Sequence, residues 1–137
     1  MFEASGIPSP IAKAMSDKGY KNLTPVQEEV FKDDYSGLDL LVSAQTGSGK
    51  TIAFGLAIVE NILSENLFFK IPKSPEALII VPTRELALQV KNELSWLLAS
   101  SEAKIVSCVG GMDIRKEKRN LETKPNIVVG TPGRLKD

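Results

Sequence analysis

The sequence predicts an α/β fold, a parallel sheet with helices on both faces, and three features point there. Short apolar runs at 38–44, 77–81, 104–109 and 127–130 alternate with helical patterns. Strands buried on both faces read as continuous apolar runs, and regular alternation with helices implies crossover connections and parallel pairing. A glycine-rich turn joins the first of these strands to a helix. The composition fits a packed domain: 42% of the 137 residues are hydrophobic and 25% are charged, which argues for a real core and against disorder.

Each element has a local reason. After Pro8 to Pro10, the stretch Ile11 to Lys18 reads as a short helix ended by Gly19, a left-handed cap. Thr24 starts a second helix, with Pro25 at its first position and Gln27 three residues on completing a capping box. Ser36-Gly37 breaks it, which separates an entry region, 1–37, from a core, 38–137. In the core a helix runs from about Lys50 to Leu63, and 64–76, with Pro72 and Pro75, reads as a surface loop. Thr83 caps a helix to about Ala99, with Leu86, Val90, Leu94, Leu97 and Leu98 on one face. Met112 to Leu121 gives the next helix, and another is due after Gly130.

Charge and cysteine content exclude several classes of function. Lys and Arg balance Asp and Glu at 17 each, so an anionic polymer would have to be met by local loops, not by a global field. With one cysteine and no histidine, an internal disulfide, a Cys/His metal site and an imidazole triad are all out of reach. No apolar run has the length of a membrane span and no leader pattern is visible. The expectation is a soluble, cytoplasmic protein in a reducing compartment, with no membrane partner. Cys108, mid-strand, reads as a buried, inert thiol.

Ala44-Gln45-Thr46-Gly47-Ser48-Gly49-Lys50-Thr51 lies between strand and helix, the context a phosphate-binding P-loop requires. Glycines 47 and 49 let backbone N–H groups converge on one point, where the helix N-terminus adds partial positive charge. Lys50 reaches the β- and γ-phosphates of a nucleotide and the Thr51 hydroxyl ligates Mg²⁺; these two are the candidate catalytic residues. Ala44 stands where the general pattern has glycine. Alone, the loop implies an NTPase or a nucleotide kinase.

Gly19-Tyr20-Lys21-Asn22-Leu23-Thr24-Pro25-Val26-Gln27 resembles the Q motif of DEAD-box RNA helicases, with Leu23 where proline is usual. The resemblance implies that the Gln27 amide pairs with the adenine edge. One donor group and one acceptor suit that edge. Phe2 lies where the family carries an isolated upstream aromatic. Phe2, Tyr20, Thr24 and Gln27 therefore join the P-loop residues as candidates for ATP binding. A residue that only completes a capping box is the plain alternative for Gln27, and ordinary packing is the alternative for Tyr20 and Phe2.

The resemblance continues downstream. Pro82-Thr83-Arg84 opens a stretch matching motif Ia, Gly110-Gly111 matches the GG motif, and Thr131-Pro132-Gly133-Arg134 matches motif Ib. In the family these loops grip the sugar–phosphate backbone of RNA. All three follow predicted strands, at the edge where open α/β sheets bind ligands. Taken singly, Arg84 could equally serve a salt bridge and the glycine pair a plain turn. The run Arg115 to Arg119 reads as the solvated face of a helix, and Trp96 as packing.

The match covers the P-loop NTPase, RecA-like part of the family only up to a point. Neither Asp-Glu-Ala-Asp nor Ser-Ala-Thr occurs in the sequence. The expectation is an incomplete first RecA-like domain, monomeric, that binds adenine nucleotide without hydrolysing it. Hydrolysis and RNA unwinding or remodelling would then belong to a longer protein with a second RecA-like domain. Another P-loop enzyme, such as a small-molecule kinase, and a non-enzymatic ATP-binding module are the rival classes.

Overall fold

The computed structural model describes residues 7–30, 49–62, 74–110 and 114–136. In chain order these form α1 (Ser9–Asp17), α2 (Pro25–Val30), α3 (Lys50–Ile62), β1 (Ala77–Ile80), α4 (Arg84–Leu97), β2 (Ile105–Cys108), α5 (Ile114–Glu122), β3 (Ile127–Gly130) and α6 (Pro132–Lys136), with a 3₁₀ turn at Ala99–Ser101. The predicted strand at 38–44 and most of the predicted loop at 64–76 lie outside the described residues.

The described strands pair in parallel in the order β1-β3-β2. Ile127 sits between Ala77 and Ile105, and Val128 between Leu78 and Val106. Alternate residues therefore face opposite sides. Ile127 and Val129 look toward the larger core, with Ile11 and Met15 of α1, Leu56 of α3 and Leu94 and Leu97 of α4. Val106, Cys108 and Val128 look the other way and are covered by Leu135, beside α5. Helices thus lie on both faces, as the alternating pattern predicts. On β1, an edge of the described sheet, Leu78 and Ile80 are 57% and 59% exposed.

Local chemistry fixes most element ends. Pro8 precedes α1, whose Ile11, Ala12 and Met15 are buried on one face. It ends in a Schellman motif: Gly19 has φ +94, its N–H donates to the Ser16 carbonyl, and Tyr20 N–H donates to that of Met15. A positive φ is cheap only for glycine, and this turn delivers the Tyr20 ring onto Trp96 in a stack with centroids 6.0 Å apart. At α4, Thr83 Oγ1 accepts the Leu86 N–H at 3.2 Å, an N-cap.

One predicted core position moves. Leu86 stays 37% exposed, while Ala87, Val90, Leu94 and Leu97 are buried. Leu86 lies in the first turn of α4 and its side chain leans toward the N-terminus, away from the helix body that carries the buried Ala87, Val90, Leu94 and Leu97.

Asn126 clamps the opposite edge. Its Oδ1 accepts the Lys104 N–H at 3.0 Å, its Nδ2 donates to Glu76 Oε1 at 3.0 Å, and its backbone carbonyl accepts from Glu76 N–H. The approaches to all three described strands are tied through this one buried side chain.

Candidate functional site

The first site forms where α2 meets the start of α3. Thr24 and Gln27 make the capping box in both directions: Thr24 N–H donates to Gln27 Oε1 at 3.0 Å, and Gln27 N–H lies 3.4 Å from Thr24 Oγ1. The side chain does more than cap. Gln27 Nε2 donates to the Gly49 carbonyl at 3.2 Å, an oxygen that also accepts the Ala53 N–H of α3. The Gln27 side chain is 0% exposed. An amide nitrogen carries two hydrogens and an amide oxygen two lone pairs, so each atom has capacity beyond these bonds.

Gly49 is shaped by this contact. Its φ is +84, and a Cβ there would sit 2.3 Å from Gln27 Nε2 and 3.2 Å from Thr24 Oγ1. Lys50 and Thr51 follow as the first two residues of α3, both half-buried. The opening N–H groups of a helix have no intrahelical acceptor and carry its partial positive charge, an arrangement that suits phosphate. Ala44, Gln45, Thr46, Gly47, Ser48 and Phe2 lie outside the described residues. Tyr20 is stacked on Trp96, and Lys18 Nζ lies 5.4 Å from the Trp96 ring centre. Of the predicted nucleotide residues that are described, the structure therefore brings together Thr24, Gln27, Gly49, Lys50 and Thr51, and gives Tyr20 a packing partner of its own.

The second candidate site is the C-terminal edge of the sheet, where the segments that follow β1 and β3 meet the end of β2. Arg84 Nη1 donates to the Gly110 carbonyl at 3.4 Å, and Arg84 Nη2 lies 3.9 Å from Glu85. Thr131 N–H donates to the Cys108 carbonyl at 3.1 Å. Pro82, Thr83, Arg84, Gly110, Pro132 and Gly133 are exposed, and Thr131 is half-buried. Gly111 lies outside the described residues. Arg134 is not a free surface cation: its Nη1 donates to Glu117 Oε1 at 2.8 Å.

Glu117 is the residue that reading the sequence alone missed. It sits inside the basic run, whose Arg115, Lys116, Lys118 and Arg119 are exposed as expected, yet it is buried. A signal was available, because Glu117 falls on the α5 face shared by Ile114 and Leu121, three and four residues away. Beneath it, Cys108 is buried, and its thiol is held above the ordinary value chiefly by burial, then by the Glu117 carboxylate, against the opposing pull of Arg134. A thiol kept protonated is a poor nucleophile.

Residues 24–137 match the model of the DEAD/DEAH box helicase family. The ATP-dependent RNA helicase CshA of Limosilactobacillus reuteri is 42% identical over 136 residues, covering 99% of this chain and 26% of that protein. CshA of Bacillus subtilis is 41% identical over 99% of this chain and 26% of its own length. Among solved structures, the RNA helicase Prp28 of Chaetomium thermophilum bound to ADP superimposes with a TM-score of 0.83 at 35% identity, over 97% of this chain and 32% of that one. A hypothetical ATP-dependent RNA helicase from Sulfolobus tokodaii gives a TM-score of 0.77 at 33% identity, over 93% and 35%. The chain spans about a quarter of the length of these curated relatives, and its incomplete sheet is the RecA-like one that the solved helicases share. With a family model matching residues 24–137 and helicases similar over nearly the whole chain, the chain belongs to the DEAD/DEAH box helicase family.

Proposed function

We propose that the chain is the nucleotide- and RNA-backbone-binding part of an ATP-dependent RNA helicase. ATP lies at the start of α3, with Lys50 against the β- and γ-phosphates. Gln27 reads the adenine edge with the amide hydrogen and lone pair not spent on Gly49 and Thr24. The observation that carries this reading is the bond from Gln27 Nε2 to the Gly49 carbonyl. It ties the residue proposed to read the base to the loop proposed to hold the phosphates. The ADP bound in the Prp28 relative supports the same ligand class. Because Gln27 is fully covered, the base reaches it by displacing part of that cover.

The residues fit Mg²⁺ held jointly with nucleotide. Among the described residues no three His, Cys, Asp or Glu side chains gather to form a metal cage. Thr51 offers one hydroxyl at the mouth of the phosphate site, and Mg²⁺ is commonly bound by few protein ligands plus phosphates and water. When bound, the ion would neutralise phosphate charge.

The edge formed by Pro82–Arg84, Gly110 and Thr131–Arg134 takes the sugar–phosphate backbone of single-stranded or duplex RNA. Contacts of this kind position a strand without reading its bases. In the whole protein, ATP binding and hydrolysis would be coupled to local unwinding or remodelling, with a second RecA-like domain completing the hydrolytic site. The chain itself acts as a monomer in the cytoplasm, where it holds nucleotide without cleaving it: Lys50 and Thr51 hold phosphate and metal, while phosphoryl transfer also needs a group that orients the attacking water. Steady-state phosphate release tests this division of labour. Residues 1–137 should turn over ATP no faster than the Lys50→Ala variant, with or without RNA. An RNA-stimulated rate well above that control would refute it.

A further inference from the structure

Glu117 stands out because its two oxygens are spent on two different segments, the exit of β2 and the start of α6. The Glu117 side chain is 5% exposed and that of its partner Arg134 is 17% exposed. Oε2 accepts the Val109 N–H at 2.6 Å, and Oε1 accepts from Arg134 Nη1 at 2.8 Å. Val109 is the last residue before Gly110, and Arg134 lies in the first turn of α6, three residues after Thr131. On the far side, Arg84 donates to the Gly110 carbonyl. The exit of β2 is thus held by its N–H from beneath and by its carbonyl from beside.

We propose that Glu117 is a positioning residue that locks the exit of β2 to the first turn of α6, so that an RNA backbone meets them as one preformed surface. The inference rests on the RNA reading given above. Its chemistry requires a carboxylate. Both of its partners are donors, and only an acid offers two acceptor oxygens; bonds to an ionised group are also the stronger kind. A guanidinium has five N–H donors in a rigid fork. Once one of them is anchored on Glu117, the remaining hydrogens are aimed and not left to sample rotamers. Preorganisation of this sort lowers the cost of ordering on binding.

The sign of the expected effect separates positioning from plain electrostatics. Glu117→Gln keeps the shape but replaces one acceptor with a donor, so it can serve only one of its two partners. It also removes a negative charge from beneath the proposed RNA surface, which on charge alone would tighten RNA binding. Positioning predicts the reverse: about tenfold weaker binding of a fluorescein-labelled oligouridine, on the scale of one lost charge-assisted hydrogen bond. Stabilisation by ADP should be unchanged, since Gln27, Gly49 and Lys50 are untouched. Arg134→Lys supplies a second arm that keeps the surface charge and breaks the fork geometry, and it should weaken RNA binding to a similar degree. If Glu117→Gln is too unstable to purify, Arg134→Lys alone decides. Unchanged or tighter binding by either folded variant would overturn the positioning role while leaving the RNA reading intact. Failure of the wild-type chain to bind the oligouridine at low salt would overturn both.

Discussion

Gly49→Ala should destabilise the chain by about 2–4 kcal/mol and weaken ADP binding at least about tenfold, combining a backbone cost with an unpaired amide. The backbone part follows from φ +84 at Gly49: a Cβ in left-handed space costs roughly 1–2 kcal/mol. The rest is steric. The added methyl would sit 2.3 Å from Gln27 Nε2, so the amide must leave a site in which it is fully buried. Its departure strips Thr24 N–H of its partner and the Gly49 carbonyl of one of its two, the Ala53 N–H remaining, and a buried polar group left unpaired costs about 1–3 kcal/mol. A double-mutant cycle isolates this second part. In a Gln27→Ala background the methyl meets no amide, so the cost of Gly49→Ala should fall by about 1 kcal/mol or more. Urea unfolding measures all four corners, and strictly additive costs would show that the two residues do not act together.

Leu94→Ala should cost about 3–4 kcal/mol, the range for a fully buried leucine whose surroundings relax only in part. Leu94 is 0% exposed and lies in the core that joins α1, α3 and α4 to Ile127 and Val129 of the sheet. It also borders α3 closely, because a Cβ added at Gly55 would come within 2.9 Å of its Cδ2. A cavity there loosens α3, whose first turn is the proposed phosphate site, so the loss of stability and a drop in ADP affinity should appear together. Urea denaturation with an unchanged m-value reads the stability. A loss below about 1 kcal/mol would mean that the core around α4 collapses onto the gap, contrary to the packing described here.

What the sequence revealed follows the range of the interactions involved. Gly19, the Thr24–Gln27 box, the Thr83 cap and the strand at Ile127–Gly130 were all legible because their causes lie within about four residues. The alternation of strands and helices likewise gave the layers and the two-sided sheet. Partners far apart in sequence were not legible. The β1-β3-β2 order, the Asn126 clamp reaching back to Glu76, and the bond from Arg84 to Gly110 arise only when the strands assemble. Glu117 was hidden for another reason: four exposed basic neighbours make its segment read as solvated, and its own burial depends on donors from Val109 and Arg134. Arg134 changes accordingly, from a surface charge offered to RNA into one already anchored by a carboxylate. Gln27 gains a second duty, since the capping and adenine readings compete for an amide that the fold also bonds to Gly49.

Gln27 and the start of α3 are proposed to form one site for an adenine nucleotide. Thermal unfolding with ADP and with GDP, in the wild-type chain and in Gln27→Ala, tests it most directly. A ligand at about 100 times its Kd adds roughly 2.7 kcal/mol to the folded state, a shift that such a measurement resolves. ADP should raise the wild-type midpoint clearly more than GDP does, and Gln27→Ala should abolish the difference. Equal stabilisation of the wild-type chain by ADP and GDP would contradict it.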